Sequence, residues 1–460
     1  MSRLTTLTLI VVIALLGVLA YWYTRGEQTP LGVLGSVSSL LPTGAIGNAA
    51  NGSPLQVLIA LGEDVLNTGG ATKTYLVLFQ NNMELRPGGG FIGSFGIVKI
   101  KDGEVVKLEV HDTGNFDGRI PDTVPAPYPM KDTMGIDSWK LRDSNYSPDF
   151  PTNARKAVEF YELGGGAEKF DGVIGVTANV LTSFLRVTGP VKVPGFPGEY
   201  NADTAVRELE IQVERGYMKQ GIEFGDRKSI MSLLGYAVLD KVKTLPISEK
   251  LKLYDVLLAD LAEKDIQILL SDTKLQKMID TIDWGGAIDQ TWDGDSVMLV
   301  DANLNAFKSD YWMQRTMKHT VDLRTARPTV TTTVTYHHTA KEKDFMTKEY
   351  QTFARLYVPV GSKLESLTGS FKGPNFGTEV NRDWMGGLVY VELGQKKDVT
   401  WVYTIPEQYN TVDYDLLVGR QSGTSIIPTT VTLIAQDGSE TTHSFELHTD
   451  TRWSTLPTTK

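Results

Sequence analysis

The residues with the most obvious chemistry are Arg86, Pro87 and the glycines Gly88, Gly89 and Gly90, in the stretch LRPGGGFIG. Consecutive glycines let backbone amides approach a ligand closely and can form an anion-binding nest. A neighbouring guanidinium adds a charge-assisted, bidentate contact to phosphate or carboxylate. The spacing is neither G-x-G-x-x-G nor a P-loop, so nucleotide binding is not licensed. The alternative is a strand-to-strand turn with Arg86 paired to an acid such as Glu84. The residue types alone leave both readings open.

Two more basic positions invite the same question. Residues 138–151 carry Arg142 and Asp143 beside Asn145 and Ser147, either as an anion contact or as a pair that orders a loop. Residues 223–231 read as a helix start, with Asp226 as N-cap and Arg227 and Lys228 in the first turn. Cations there oppose the helix dipole by roughly 0.3 kcal/mol or more each. They make sense if an anion docks on the free amides, and otherwise they are solvated. His111, Asp112 and Asp117 follow closely on one another. One or two carboxylates plus substrate phosphates is the usual way magnesium is held, which makes Asp112 the candidate metal ligand; single loop acids are also common turn formers. Asp289, Asp293 and Asp295 lack the spacing and terminal Glu of a calcium loop. The histidines are scattered, which disfavours a Ser-His-Asp hydrolase.

These side chains need a scaffold, and the patterning predicts an α/β (α+β) protein: a layered mixed β-sheet core with helices, followed by a C-terminal β-sandwich. Residues 54–67 read as a helix entered at Pro54 and ended by Gly69 and Gly70. Residues 73–80 form a continuous apolar strand, and residues 95–110 a hairpin turned at Asp102-Gly103. A Pro- and Asp-rich loop covers residues 111–151. Residues 189–195 (GPVKVPG) read as a strand, and helices dominate from residue 203 to about 282. After about residue 311, short Thr/Val/Tyr strands alternate with turns, the pattern of a sandwich with its paired aromatics in the core. Exposure of Trp384, Tyr390, Trp401 and Tyr403 would instead favour an adhesive surface protein.

The N-terminus adds location. Residues 4–23 are apolar and uncharged and close on Tyr21, Trp22 and Tyr23. Twenty residues at about 1.5 Å each span a bilayer core of roughly 30 Å. Arg3 precedes the run and Arg25 is offset by Glu27, so the charge bias puts the N-terminus in the cytoplasm. A cleaved signal peptide is the alternative. The expected organisation is residues 1–25 anchor, 26–54 linker, 55–310 α/β domain and 311–460 sandwich, with the bulk extracytoplasmic on a single-pass anchor. A formal net charge of −10 argues against nucleic acid, and the absence of cysteine excludes disulfides and thiolate metal sites.

The phrases LVLFQNNMELRPGGGFIGSFG, LRDSNYSPDFP, FDGVIGVTANVLTSFLRVTGPVKV and RLYVPVGSKLESLTG carry a family likeness. From about residue 55 onward the chain resembles a bacterial membrane-anchored family catalogued as a domain of unknown function. Over about residues 75–242 it is distantly similar to LytR-CpsA-Psr proteins, extracytoplasmic phosphotransferases that move glycopolymer from a polyprenyl pyrophosphate carrier to the cell wall. That resemblance implies the LytR-CpsA-Psr fold, with Arg86, Arg227 and Lys228 around a pyrophosphate, Asp112 holding Mg2+, and a polyprenyl-phosphate-linked glycan or cell-wall polymer as partner. Pro87 and Gly88 stand where the relatives carry an acid, and His111 where they carry an arginine. A non-catalytic envelope-binding protein is the alternative reading.

Overall fold

A computed structural model describes residues 53–455. The apolar run at residues 4–23, the linker up to residue 52 and residues 456–460 lie outside the described residues. Among the described residues no helix is long and apolar enough to cross a membrane. The chain divides into two units that interleave in sequence. One takes the described residues up to Phe79, then Gly93–Arg119 and Gly164–Gly285; the other takes Gln80–Ile92, Ile120–Leu163 and Gly286 onward.

The first unit is built on a five-stranded sheet of order β3-β2-β1-β4-β5. Its strands are β1 (Lys73–Asn81), β2 (Phe91–Lys101), β3 (Glu104–Asp112), β4 (Gly172–Thr177) and β5 (Ile266–Leu270). The β2–β3 hairpin turns at Asp102 and Gly103, at φ 47° and 79°, the positive values that an Asp-Gly turn supplies. β4 is buried along its whole length, so both faces are covered and the strand reads as an apolar run. Helix Pro54–Leu66 opens with a capping box: Ser53 Oγ accepts from Gln56 N at 3.3 Å, and Gln56 Oε1 accepts from Ser53 N at 3.4 Å. Its Val57, Leu58 and Leu61 join Val77, Val98, Val176, Phe184 and Leu257 in one core. Each such side chain contributes about 1.5–3 kcal/mol by leaving water. The strand expected at residues 189–195 is reduced to a single bridge, Val191 to Tyr200.

The second unit holds two six-stranded sheets, of order β10-β13-β8-β7-β15-β16 and β11-β12-β9-β6-β14-β17. Their strands are β6 (Asp295–Asn303), β7 (Met313–Asp322), β8 (Thr329–His338), β9 (Tyr350–Val358), β10 (Lys363–Thr368) and β11 (Lys372–Glu379). They continue with β12 (Arg382–Val391), β13 (Lys396–Thr404), β14 (Asp415–Gly419), β15 (Ile427–Ile434), β16 (Glu440–Leu447) and β17 (Thr451–Ser454). β8 alternates strictly, with Val330, Thr332, Val334 and Tyr336 inward and Thr329, Thr331, Thr333 and Thr335 on the other face. Met317, Val334 and Trp401 from one sheet meet Leu299, Leu356 and Val389 from the other in a shared core, which makes this a sandwich. Trp401 and Tyr403 are buried in it, so they offer no adhesive surface, whereas Tyr390 is exposed.

The sandwich does not begin at residue 311. β6, buried throughout, pairs with β9 and β14, which draws the chain from Gly286 into this unit. The loop Gln80–Ile92 and the segment Ile120–Leu163 join it as well: Asn303 N donates to Leu85 O, and Phe150 N to Gly286 O, both at 3.0 Å.

The first unit carries a buried carboxyl that makes it pH-sensitive. Burial, joined by the Asp265 charge, pushes Asp260 up to about 8, while a 2.7 Å hydrogen bond from Ser183 pulls the other way. A folded value above the ordinary 3.8 means the folded state holds a proton that the unfolded chain releases. The stabilisation is fully present below pH 3.8 and is lost as pH rises through about 8. Hydrogen exchange in helix Ile247–Ala262 should therefore quicken across that window in wild type, and the pH slope should flatten in Asp260→Asn. Equal slopes in the two proteins would show Asp260 charged in the fold.

Candidate functional site

Arg86 has no exposed surface. Its Nε donates to Asp143 Oδ1 at 2.7 Å and one terminal nitrogen to Glu84 Oε1 at 2.9 Å. The other terminal nitrogen donates to the carbonyls of Asn303 at 2.9 Å and Leu85 at 3.3 Å. The Phe91 ring lies 5.4 Å away. Burial works against the charge, but Asp143 and Glu84 outweigh it and hold the guanidinium protonated beyond its ordinary range. The expectation that Arg86 forms a wall of an anion pocket gives way to the alternative pairing with Glu84, because a guanidinium sealed against two carboxylates presents no donor to a ligand.

The glycines are explained by packing. A Cβ on Gly89, at φ 132°, would lie 2.2 Å from Gln80 Oε1 and 2.9 Å from Ser422 Oγ. One on Gly88 would lie 2.2 Å from Asn153 Nδ2, and one on Gly90 would lie 2.4 Å from the Asn81 carbonyl carbon. The amide of Gly88 donates to Asn145 O and that of Gly89 to Arg86 O, both at 3.0 Å. Asn145 Nδ2 donates to Gly90 O at 2.6 Å. The loop thus closes on its own protein partners and forms no open nest. Arg142 is half-buried in the single turn Leu141–Asp143; the neighbour that reaches Arg86 is Asp143.

A different set converges in the first unit. Asp112 ends β3 and caps the short helix Thr113–Asp117, accepting from Asn115 N at 3.2 Å. Lys228 Nζ lies 2.6 Å from Asp112 Oδ2 and donates to Gly93 O at 2.7 Å. An Arg227 terminal nitrogen lies 3.5 Å from the same carboxylate oxygen. Arg227 also donates to Phe224 O at 3.1 Å, with its guanidinium carbon 3.8 Å from the Phe224 ring centre. Side-chain exposures of 19% for Asp112, 17% for Arg227 and 26% for Lys228 leave all three in reach of a solute. Burial pushes the Asp112 carboxyl up, but the hydrogen bond and charge of Lys228, the Asn115 amide and Arg227 hold it below the usual carboxylate range. Beside it, His111 stacks on Phe95 with ring centres 4.9 Å apart. Burial lowers its basicity against the pull of Glu109, with Arg119 and Lys107 lowering it further, so the ring is neutral near pH 7. Two cations facing one anion leave the cluster with a net positive charge.

Arg227 and Lys228 do not occupy the first turn of a helix. A 3-10 turn, Phe224–Asp226, intervenes and the helix runs Ser229–Thr244, with Lys228 at its N-cap position and no side-chain cap. The donor set also does not fit a protein-held Mg2+. Asp112 already faces two cations, and repulsion between unit charges 4 Å apart is about 4 kcal/mol at an effective dielectric of 20. Among the described residues no group of three His, Cys, Asp or Glu is placed to hold a metal ion. Sequence reasoning missed the Gly93 carbonyl, which has no side-chain signal, and the buried partners Asn303 and Gln421, which lie more than two hundred residues from Arg86.

The fold is a mixed α/β arrangement with a strand-rich C-terminal part, and within it the Asp112 and Arg86 segments are joined in one stretch of sequence. Residues 71–213 match the family model described as Protein of unknown function (DUF4012). The DUF4012 match includes Arg86, Asp112 and Arg142 and ends before Arg227 and Lys228. No curated protein matches the chain. Among solved structures, the chain is similar to gbs0355 from Streptococcus agalactiae at 12% identity and TM-score 0.30, covering 49% of this chain and 76% of that one. It is similar to TagV of B. subtilis at 14% identity and TM-score 0.26, covering 47% and 80%, and to Lin1025 from Listeria innocua at 13% and 0.25, covering 47% and 79%.

If Arg86 is structural, Arg86→Met should lower the stability of the strand-rich unit by about 3–5 kcal/mol, because two carboxylates lose their buried partner. The measurement is urea unfolding read by hydrogen exchange in β6. An unchanged midpoint would mean that Glu84 and Asp143 find other partners.

Proposed function

We propose that the chain is a membrane-anchored extracytoplasmic protein of the bacterial cell envelope that binds the pyrophosphate-type head of a lipid-linked glycan at Asp112, Arg227 and Lys228. The observation that carries this reading is the convergence of two partly exposed cations on a single carboxylate. Asp112 holds both cations in place without a ligand, and an arriving phosphate oxygen replaces it as the partner of Lys228. Charge-assisted hydrogen bonds from Arg and Lys to phosphate are the strong class, and Arg adds a planar fork. The apolar run at residues 4–23 supports the anchor, and its charge bias supports an extracytoplasmic location for the two folded units. A tether raises the effective concentration of any ligand embedded in the same membrane.

Binding is the better-supported activity. Transfer of a glycopolymer requires a group to take the acceptor proton; Lys228, the Asn115 amide and Arg227 depress the proton affinity of Asp112, and the neutral His111 ring beside it is stacked on Phe95. Mg2+ enters this proposal only as a companion of the bound anion.

The test uses the full chain in nanodiscs and farnesyl pyrophosphate as the probe, by titration calorimetry. Replacing Arg227 and Lys228 together with Ala should weaken binding at least about tenfold, or about 1.4 kcal/mol. Raising the salt should weaken the wild type. An affinity unchanged in the double variant would sink the proposal. Asp112→Asn distinguishes the metal-free from the metal-assisted form: retained or tighter binding without Mg2+ supports the former, and loss of a Mg2+-dependent gain supports the latter.

A further inference from the structure

We propose that residues 217–224 form a docking wedge whose apolar tips enter the interfacial layer of an anionic bilayer, with Arg227 beside them at the level of the lipid phosphates. Met218 and Phe224 are 60% and 63% exposed. They are held out by local structure. Gln220 and Ile222 both donate to Tyr217 O at 3.1 Å, and Gly221 takes φ 67°, so the chain doubles back on itself. Tyr217 then meets Phe224 edge to face at 6.2 Å, and the Arg227 guanidinium caps the other ring at 3.8 Å. A ring fixed by a cation and pointing into water is preorganised for an apolar medium with anions at its boundary.

The choice of a bilayer as occupant rests on charge and on reach. Residues 217–228 contain three basic and two acidic side chains, and Asp112 answers Arg227 and Lys228, so this face carries balanced charge in a chain of net charge −10. Apolar tips flanked by Lys219, Arg227 and Lys228 combine the two features that bind anionic membrane surfaces. Ser53, the first described residue of this unit, follows the end of the apolar run at Tyr23 by thirty residues in the sequence, a separation that a tether to the bilayer can bridge. The inference rests in that respect on the anchored reading, and it deepens the anion site by bringing it to headgroup depth.

The chain has no cysteine, so one introduced thiol can be labelled alone. Met218→Cys and Phe224→Cys, each carrying an environment-sensitive fluorophore, are compared in nanodiscs of phosphatidylcholine and in discs rich in phosphatidylglycerol. Val412→Cys is the control, since Val412 is 82% exposed in the other unit. The expected result is a blue-shifted emission and quenching by brominated lipid at both wedge positions in anionic discs. The shift should be smaller in neutral discs and at high salt, and absent at position 412. Entry into discs with a water-exposed label at both wedge positions would overturn the wedge and leave the anchor standing. Shielding equal in both lipids that fades when each disc holds one chain would assign the cover to a second copy and overturn the proposal. Failure of the chain to enter discs would remove the anchor and the wedge together.

Discussion

A guanidinium with no contact with water must be neutralised where it stands, and the strand-rich unit is organised around that demand at Arg86. Glu84 reaches it from the same loop, Asp143 from the segment Ile120–Leu163, and the Asn303 carbonyl from β6. Gln421 extends the set, donating to Arg86 O at 3.1 Å and to Asp301 O at 2.8 Å. Asp301 accepts from Arg315 at 2.6 Å, and Arg315 in turn donates to Asp310 at 2.7 Å. Asp310 closes the circuit by accepting from Leu85 N at 3.0 Å. The charged members have given up solvation worth about several kcal/mol per ion, which only partners held in place offset. Two distant stretches of chain are thereby committed to the sandwich. The glycines beside Arg86 belong to the same arrangement, since side chains there would collide with the groups that close the loop.

Arg227 and Lys228 are the same kind of residue under different electrical conditions. They share one carboxylate between them and keep part of their surface in water. Their cations are aligned on that carboxylate without being sealed by it. Arg86 and the Asp112 cluster show that residue type says little about ligand capacity until burial and the count of opposing charges are known. The neutral His111 ring and the Phe224 ring beside the cluster lower the local polarity without adding charge, which strengthens the remaining electrostatics.

Local features were legible without coordinates. The Asp-Gly hairpin, the helix entered at Pro54, the apolar β1 and the alternating β8 follow from turn chemistry and periodicity, and all four form. The helix onset at residue 226 was misplaced because a 3-10 turn imitates the start of a helix in sequence. The boundary near residue 311 was misplaced because β6 is buried throughout and carries no alternation to mark it as a sandwich strand. The long loop before residue 151 holds Asp143, Asn145 and Phe150, scaffold groups whose partners lie on other segments.

Sequence by itself determined the class of the protein, the elements built from neighbours, and the list of basic residues able to meet an anion. Those properties depend on interactions a few residues apart, so they can be read in order along the chain. Tertiary structure decided which cations remain available. Availability is set by desolvation and by carboxylates brought from distant segments: Glu84 and Asp143 close around Arg86 completely, whereas Asp112 answers Arg227 and Lys228 with a single charge. No pattern in the sequence records that balance, because it exists only once the segments have packed.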